Sequence, residues 1–180
     1  MFLGIKGEIN MKRLICLLLV IVLAGSVVGC GSKTSYLSII NQFNENTTIE
    51  DISEKYNITD KSNKADYTIY FSDDVISFYG VSGELNFYIR EGKLIYLQWY
   101  SDSSDLNKHL EKFVDGLVSE ISKKYGEPFS MVLPVDNGEF NETYSWNTNE
   151  DAVSDIQIDL IKKTEVSNPY KVYVLKSYID

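Results

Sequence analysis

From Leu106 to Tyr125 an apolar residue returns every three or four positions, and this stripe constrains the fold more than any other feature of the chain. Leu106, Leu110, Phe113, Leu117, Ile121 and Tyr125 share one helical face, widened by Val114 and Val118, while Lys108, Glu111, Asp115 and Lys123 point away. Ser103 or Ser104 begins the helix, Gly126 supplies a left-handed exit, and Pro128 prevents resumption. A helix with one apolar face has to cover something, and the segments on both sides of it alternate with a period of two. The expected class is therefore α+β, an antiparallel β-sheet packed by one long amphipathic helix.

Short N-terminal helices complete the expectation. Tyr36, Leu37, Ile39, Ile40 and Phe43 recur at helical spacing before Asn44, and Thr48 caps a second helix through Tyr56, with Glu50 and Asp51 at its positive end. Thr68 to Phe71 and Val75 to Tyr79 read as short strands joined at Ser72-Asp73-Asp74. A clearer hairpin follows, Glu84 to Ile89 and Lys93 to Tyr100, around Arg90-Glu91-Gly92. A three-residue loop pairs Ile89 with Lys93, Phe87 with Ile95 and Leu85 with Leu97. A two-residue loop would oppose Phe87 to Tyr96 and mix apolar and polar residues on both faces, so the longer loop is expected. The tail returns to strands at Glu142 to Asn147, Val153 to Lys162 and Tyr170 to Tyr178, with turns at Asn137-Gly138 and Ser167-Asn168-Pro169.

Ile52-Ser53-Glu54-Lys55-Tyr56-Asn57 echoes Ile121-Ser122-Lys123-Lys124-Tyr125-Gly126, and strands with a Tyr-rich start follow each, which suggests a tandem α-β repeat. The helix end Lys124-Tyr125-Gly126-Glu127-Pro128 and the strand pair from Phe87-Tyr88-Ile89 through Gly92-Lys93-Leu94 to Trp99 resemble those of the β-lactamase-inhibitor protein superfamily, and small lipoproteins of outer-membrane assembly are similar. As sequence the resemblance covers about twenty residues, and the inhibitor family's disulfides are absent. It implies a helix-on-antiparallel-sheet binding domain and assigns no site residue.

The N-terminal region has a different character. Met11-Lys12-Arg13 precedes an apolar stretch, Leu14 to Leu23, and then Ala24-Gly25-Ser26, the three parts of a secretory signal. The stretch is short for a membrane span, which needs about 20 apolar residues. Val27-Val28-Gly29-Cys30 at its end resembles the lipobox of bacterial prolipoproteins, in which the cysteine after the cut receives a diacylglyceryl group. The resemblance implies lipidation at Cys30, a signal peptide at 11–29, and a location on the extracytoplasmic face of the cell membrane. Residues 1–10 fit no signal because Glu8 is acidic, and Lys6-Gly7-Glu8 can be encoded by a purine-rich ribosome-binding sequence, so Met11 is the expected start. Residues 30–35 then form the lipidated cysteine and a tether, which could reach roughly 17 Å, and 36–180 a single domain.

Removing residues 1–29 leaves 151 residues with 14 basic and 25 acidic side chains, a net charge of −11. Such a surface repels polyphosphate, so nucleic acid is excluded as a partner class. Cys16 leaves with the signal and Cys30 is the lipid site, so the folded part holds no thiol for a disulfide, a metal or catalysis. Packing must supply the stability, with 13 Tyr, 7 Phe and 2 Trp.

Chemistry-bearing motifs are sparse. His109 is the only histidine and reads as a solvated helix residue. Asn147-Thr148-Asn149-Glu150-Asp151 starts like a calcium loop, but Ala152 and Ile158 stand where an EF-hand needs Gly and Glu, leaving at most a looser site at Asp151 and Asp155. Asp73-Asp74, and Asp102 with Asp105, are the candidate carboxylate pairs, although turns and helix starts select Asp anyway. No catalytic residue, metal ligand or cofactor is assigned. The stronger constellation is the sheet face opposite the core. With Leu85, Phe87, Ile95, Leu97 and Trp99 inward, Asn86, Tyr88, Leu94, Tyr96, Gln98 and Tyr100 point out, and Tyr88, Tyr96, Gln98 and Tyr100 form the candidate binding surface.

The expected function is a non-enzymatic, lipid-anchored accessory domain whose partners are the membrane, through its diacylglyceryl anchor, and an envelope protein. A carboxylate-dependent envelope or carbohydrate-active enzyme and a small-ligand or calcium sensor are the rival readings. Cys30→Ala is expected to release the protein from membranes into the soluble fraction, and mass spectrometry of the wild-type amino terminus should find the thioether-linked lipid. An unmodified sulfur would overturn the anchor.

Overall fold

The computed structural model describes residues 34–134, 140–147, 155–163 and 169–179. Three helices, α1 (Tyr36–Ile40), α2 (Ile49–Ser53) and α3 (Asp105–Tyr125), cover one face of an eight-stranded antiparallel sheet. The strands are β1 (Ile58–Asn63), β2 (Thr68–Phe78), β3 (Val81–Arg90), β4 (Lys93–Ser101), β5 (Phe129–Pro134), β6 (Phe140–Trp146), β7 (Ile156–Lys162) and β8 (Tyr170–Ser177). The α+β class expected from periodicity is what the chain forms. No helix among the described residues is long and apolar enough to cross a membrane.

The spatial order is β1-β2-β3-β4-β8-β7-β6-β5. Each half of the chain makes a four-stranded meander preceded by helix, and the two meanders join through their last strands, β4 against β8. The sequence echo falls at equivalent places, where the helix before each meander ends. Ile52 and Ile121 are both fully buried there, and Tyr56 and Tyr125 both pack against the core. Thr48 caps α2 with a reciprocal capping box, its side chain accepting from the Asp51 N–H while the Asp51 carboxylate accepts from the Thr48 N–H. The helix stops at Ser53, short of the expected Tyr56, in a turn of hydrogen bonds back to Ile52.

Helix and sheet meet at Trp99. Its ring stacks on Phe113 of α3 with centroids 5.3 Å apart, abuts Phe78 at 5.4 Å, and donates its indole N–H to the Ile76 carbonyl at 3.1 Å. Gly83 on the neighbouring strand leaves the room the ring occupies, since a Cβ there would collide with the Trp99 ring and the Tyr100 carbonyl. Around this centre Leu85, Phe87, Leu97, Leu106, Leu117 and Ile121 are fully buried. Phe43 and Tyr56 close over Phe87 with ring centroids 5.7 and 5.5 Å from it. The stripe on α3 faces inward, and Lys108, Glu111, Asp115 and Lys123 are exposed as expected.

Several local expectations are corrected. Thr68–Phe78 is one strand rather than two, because Ser72-Asp73-Asp74 forms a bulge between the paired positions Phe71 and Val75 instead of a turn. The Asp74 carboxylate accepts the Asn57 N–H at 2.7 Å and the Asp73 carboxylate accepts the Thr59 hydroxyl at 2.7 Å, so this acidic pair ties β1 to the bulge. The β3–β4 hairpin turns on two residues, Glu91 and Gly92, both with positive φ, rather than three. An extra residue at Ile95 then restores the alternation, so Phe87 faces Leu97 and Leu85 faces Trp99. The two-residue turn sets Leu94 opposite Ile89, so Leu94 lies in the core at 1% exposure, not on the outer face. Strands β1 and β5 lacked a recognisable period and were not expected. The turn at Asn137-Gly138 and most of that at Ser167-Asn168-Pro169 lie outside the described residues.

The β2–β3 turn holds the helix layer in place. Tyr79 adopts φ 51°, unusual for a bulky residue, and its ring fills the space over Gly116 of α3 while its hydroxyl donates to Glu120 at 2.8 Å. Burial and then this bond push the Tyr79 hydroxyl up to about 12. The other Glu120 oxygen accepts the Ser35 hydroxyl at 2.5 Å and the Leu37 N–H at 2.8 Å, so one carboxylate joins α3, the start of α1 and the hairpin.

Gly83→Ala is expected to lower stability by about 3 kcal/mol through overpacking against backbone. Gly92→Ala, where nothing lies within 4 Å and only the positive φ is strained, should lose about 1 kcal/mol. Urea titration of both variants checks the contrast; similar losses would show that the Trp99 niche is not tight.

Candidate functional site

With the three described helices on one side, no described helix covers the other face of the sheet. Tyr88 and Tyr96 stand directly opposite each other on β3 and β4, as do Asn86 and Gln98. Tyr100 lies between Glu84 on β3 and Tyr173 on β8. The structure thus brings Tyr88, Tyr96, Gln98 and Tyr100 together on one half-buried surface. Cys30 lies outside the described residues.

The rings form a chain across the strands. Tyr67 meets Tyr88 at 5.7 Å between centroids, Tyr88 meets Tyr96 edge-on at 6.1 Å, and Tyr100 meets Tyr173 at 5.0 Å. The Gln98 carbonyl accepts from the Asn86 amide at 3.1 Å and from the Tyr88 hydroxyl at 3.2 Å. At the rim the Tyr100 hydroxyl donates to Asp102 at 2.7 Å, and the Lys171 ammonium lies 3.4 Å from that hydroxyl and over the same ring. Beyond β8, Asp159 accepts the Thr143 hydroxyl and the Gln157 amide, both at 2.7 Å. These bonds hold the rings and amides in fixed positions.

Burial raises the Tyr88 hydroxyl above its ordinary range, helped by the neighbouring Tyr67 and Tyr173. Burial also raises Tyr100, followed by the bond to Asp102. Both are therefore neutral donors at physiological pH.

Tyr173, Lys171, Gln157, Asp159 and Thr143 were missed by sequence reasoning. Alternation of Val172 and Val174 with Tyr173 signals which residues of β8 point outward, but placing β8 beside β4 needs a pairing between residues more than 70 positions apart.

The other candidate residues are dispersed. His109 is half-buried rather than solvated, its ring 3.4 Å from where a Cβ on Gly80 would stand. Asp105 begins α3, and Asp102 flanks a shallow groove of about 250 Å³ lined also by Val75, Glu84 and Ser103. Among the described residues no three His, Cys, Asp or Glu side chains gather as metal ligands. Residues 148–154, which include most of the calcium-loop candidate, lie outside the described residues, and Asp155 is buried with its N–H on the Trp146 carbonyl at 2.9 Å.

No family model, no curated protein and no solved structure matches the chain.

Tyr100 is neutral in the fold beyond the pH at which a free tyrosine ionises, so its contribution to stability is complete below about pH 10 and is lost as pH rises above it. The difference in tyrosinate absorbance between wild type and Tyr100→Phe is expected to develop above pH 10. A difference centred at or below that pH would mean the ring is solvated and its hydroxyl unconstrained.

Proposed function

We propose that this chain is a lipid-anchored extracytoplasmic lipoprotein of the bacterial cell envelope that acts without catalysis, by holding an envelope protein on its open sheet face. The carrying observation is that the described helices cover the sheet from one side, which leaves an aromatic and amide surface whose polar groups are pre-positioned. Tyrosine suits such a role because each ring offers a large apolar area with two side-chain rotations and a polar tip. The Gln98 carbonyl is occupied twice, while its amide N–H groups have no partner among the described residues and remain free to meet a backbone carbonyl. The net charge of −11 in the mature chain favours a partner with a basic or neutral contact surface. A diacylglyceryl group on Cys30 would confine both partners to one membrane surface and raise their effective concentration.

The test places a photo-reactive residue at Gln98 of the full chain in cells and compares it with one at exposed Lys108 on the helix side. Capture of a discrete protein from position 98 and not from 108 is expected. Tyr88→Ala should reduce that capture at least tenfold, the loss of about 2 kcal/mol typical of a central interface aromatic, with the thermal midpoint little changed. Equal capture from both faces, or indifference to Tyr88→Ala, would remove the sheet face from consideration.

A further inference from the structure

The two edges of the sheet are built differently. β1 carries Thr59, Asp60, Lys61 and Asn63 exposed along its length, and a bulge interrupts its pairing between Ile58 and Asp60. Charges and bulges of this kind discourage another strand from adding to an edge. β5, at the opposite edge, reads Phe-Ser-Met-Val-Leu-Pro and has no charge. Its apolar side chains are exposed on both faces: Phe129 69%, Met131 42% and Leu133 47% on the open side, and Val132 58% on the helix side. Among the described residues only β6 pairs with it, so one row of its backbone N–H and C=O groups has no described strand beside it.

We infer that β5 is a homodimerisation edge, on which a second copy of this chain adds its own β5 antiparallel to form a continuous sheet of sixteen strands. The sequence of the strand specifies the register. Pro128 and Pro134 lack an N–H and stand three residues on either side of Met131, so the segment between them in which every residue keeps its N–H, Phe129 to Leu133, is symmetric about Met131. A two-fold axis there sets Phe129 against the partner's Leu133 and Met131 against the partner's Met131 on the open side, and Val132 against Ser130 on the other. Each apolar residue on the open side thereby meets another, and no charge is placed opposite a like charge. Glu127 lies outside the paired segment.

The arrangement closes on itself. It consumes the uncharged edge of both copies and leaves a charged β1 at each end, so association stops at two. Five paired residues a side cover less than the roughly 800 Å² per partner of a standard stable interface, and both copies are acidic. The dimer is therefore a weak one in dilute solution and strengthens as the copies are concentrated. This inference does not depend on what the open face binds.

Residues directly opposite in an antiparallel pair lie about 4.5–5.5 Å apart at Cα, within the range a disulfide spans. The full chain carrying Met131→Cys is expressed in a bacterial host, oxidised mildly in intact cells and run on non-reducing gels, with Cys16 and Cys30 retained throughout and wild type as background. Several-fold more dimer than wild type is expected, with Ser62→Cys on the other edge remaining at background. Adding Val132→Lys should abolish the dimer, whereas Val132→Thr, uncharged and equally suited to a strand, should keep it. Absence of a Met131→Cys dimer, equal dimer from Ser62→Cys, linkage only to other proteins, or equal loss with Lys and Thr would each overturn the inference.

Discussion

The contact of Trp99 with Phe113, seated in the gap left by Gly83, is the constraint on which the rest of the structure depends. A single indole reaches from the central strand to the long helix, buries fully, and finds its polar partner in the Ile76 carbonyl. An aromatic of this size supplies a large share of the apolar area that a chain without disulfides needs. Because the helix is seated over β3 and β8, the sheet's other face is left to carry tyrosines. The open surface is thus a product of how the core is filled.

Much of this was legible from periodicity. The 3.6-residue stripe on α3 and the alternation in β3, β4, β7 and β8 separate inward from outward residues, and Tyr88, Tyr96, Gln98 and Tyr100 follow from that separation alone. What failed was counting through turns. Glu91-Gly92 and Tyr79-Gly80 are two-residue turns with positive φ at both positions, a conformation usually signalled by Asn-Gly or Asp-Gly. With Glu and Tyr in the first place the signal was weak. The two-residue turn sets Leu94 opposite Ile89 and brings it inward, and the extra residue at Ile95 then moves the partner of Phe87 from Tyr96 to Leu97. A local extra residue changes face assignments without changing composition, so sequence alternation cannot reveal it.

The remaining gaps have a different origin. Ile58–Asn63 is polar beyond Ile58 and Phe129–Pro134 apolar on both sides, and neither alternates because neither edge has an inside and an outside in the usual sense. The junction of β4 with β8 is a long-range pairing, and its consequence, the arrival of Tyr173 beside Tyr100, is invisible to any window of neighbouring residues. The internal echo was the one clue to it. Two similar helix-then-meander halves that share a sheet can meet through equivalent strands, and here they do.

Glu120 receives the Ser35 hydroxyl, the Leu37 amide and the Tyr79 hydroxyl on one carboxylate. Tension applied along the chain ahead of Ser35 would therefore be passed to the C-terminal half of the long helix and to a hairpin tip before it could peel the short first helix from the core.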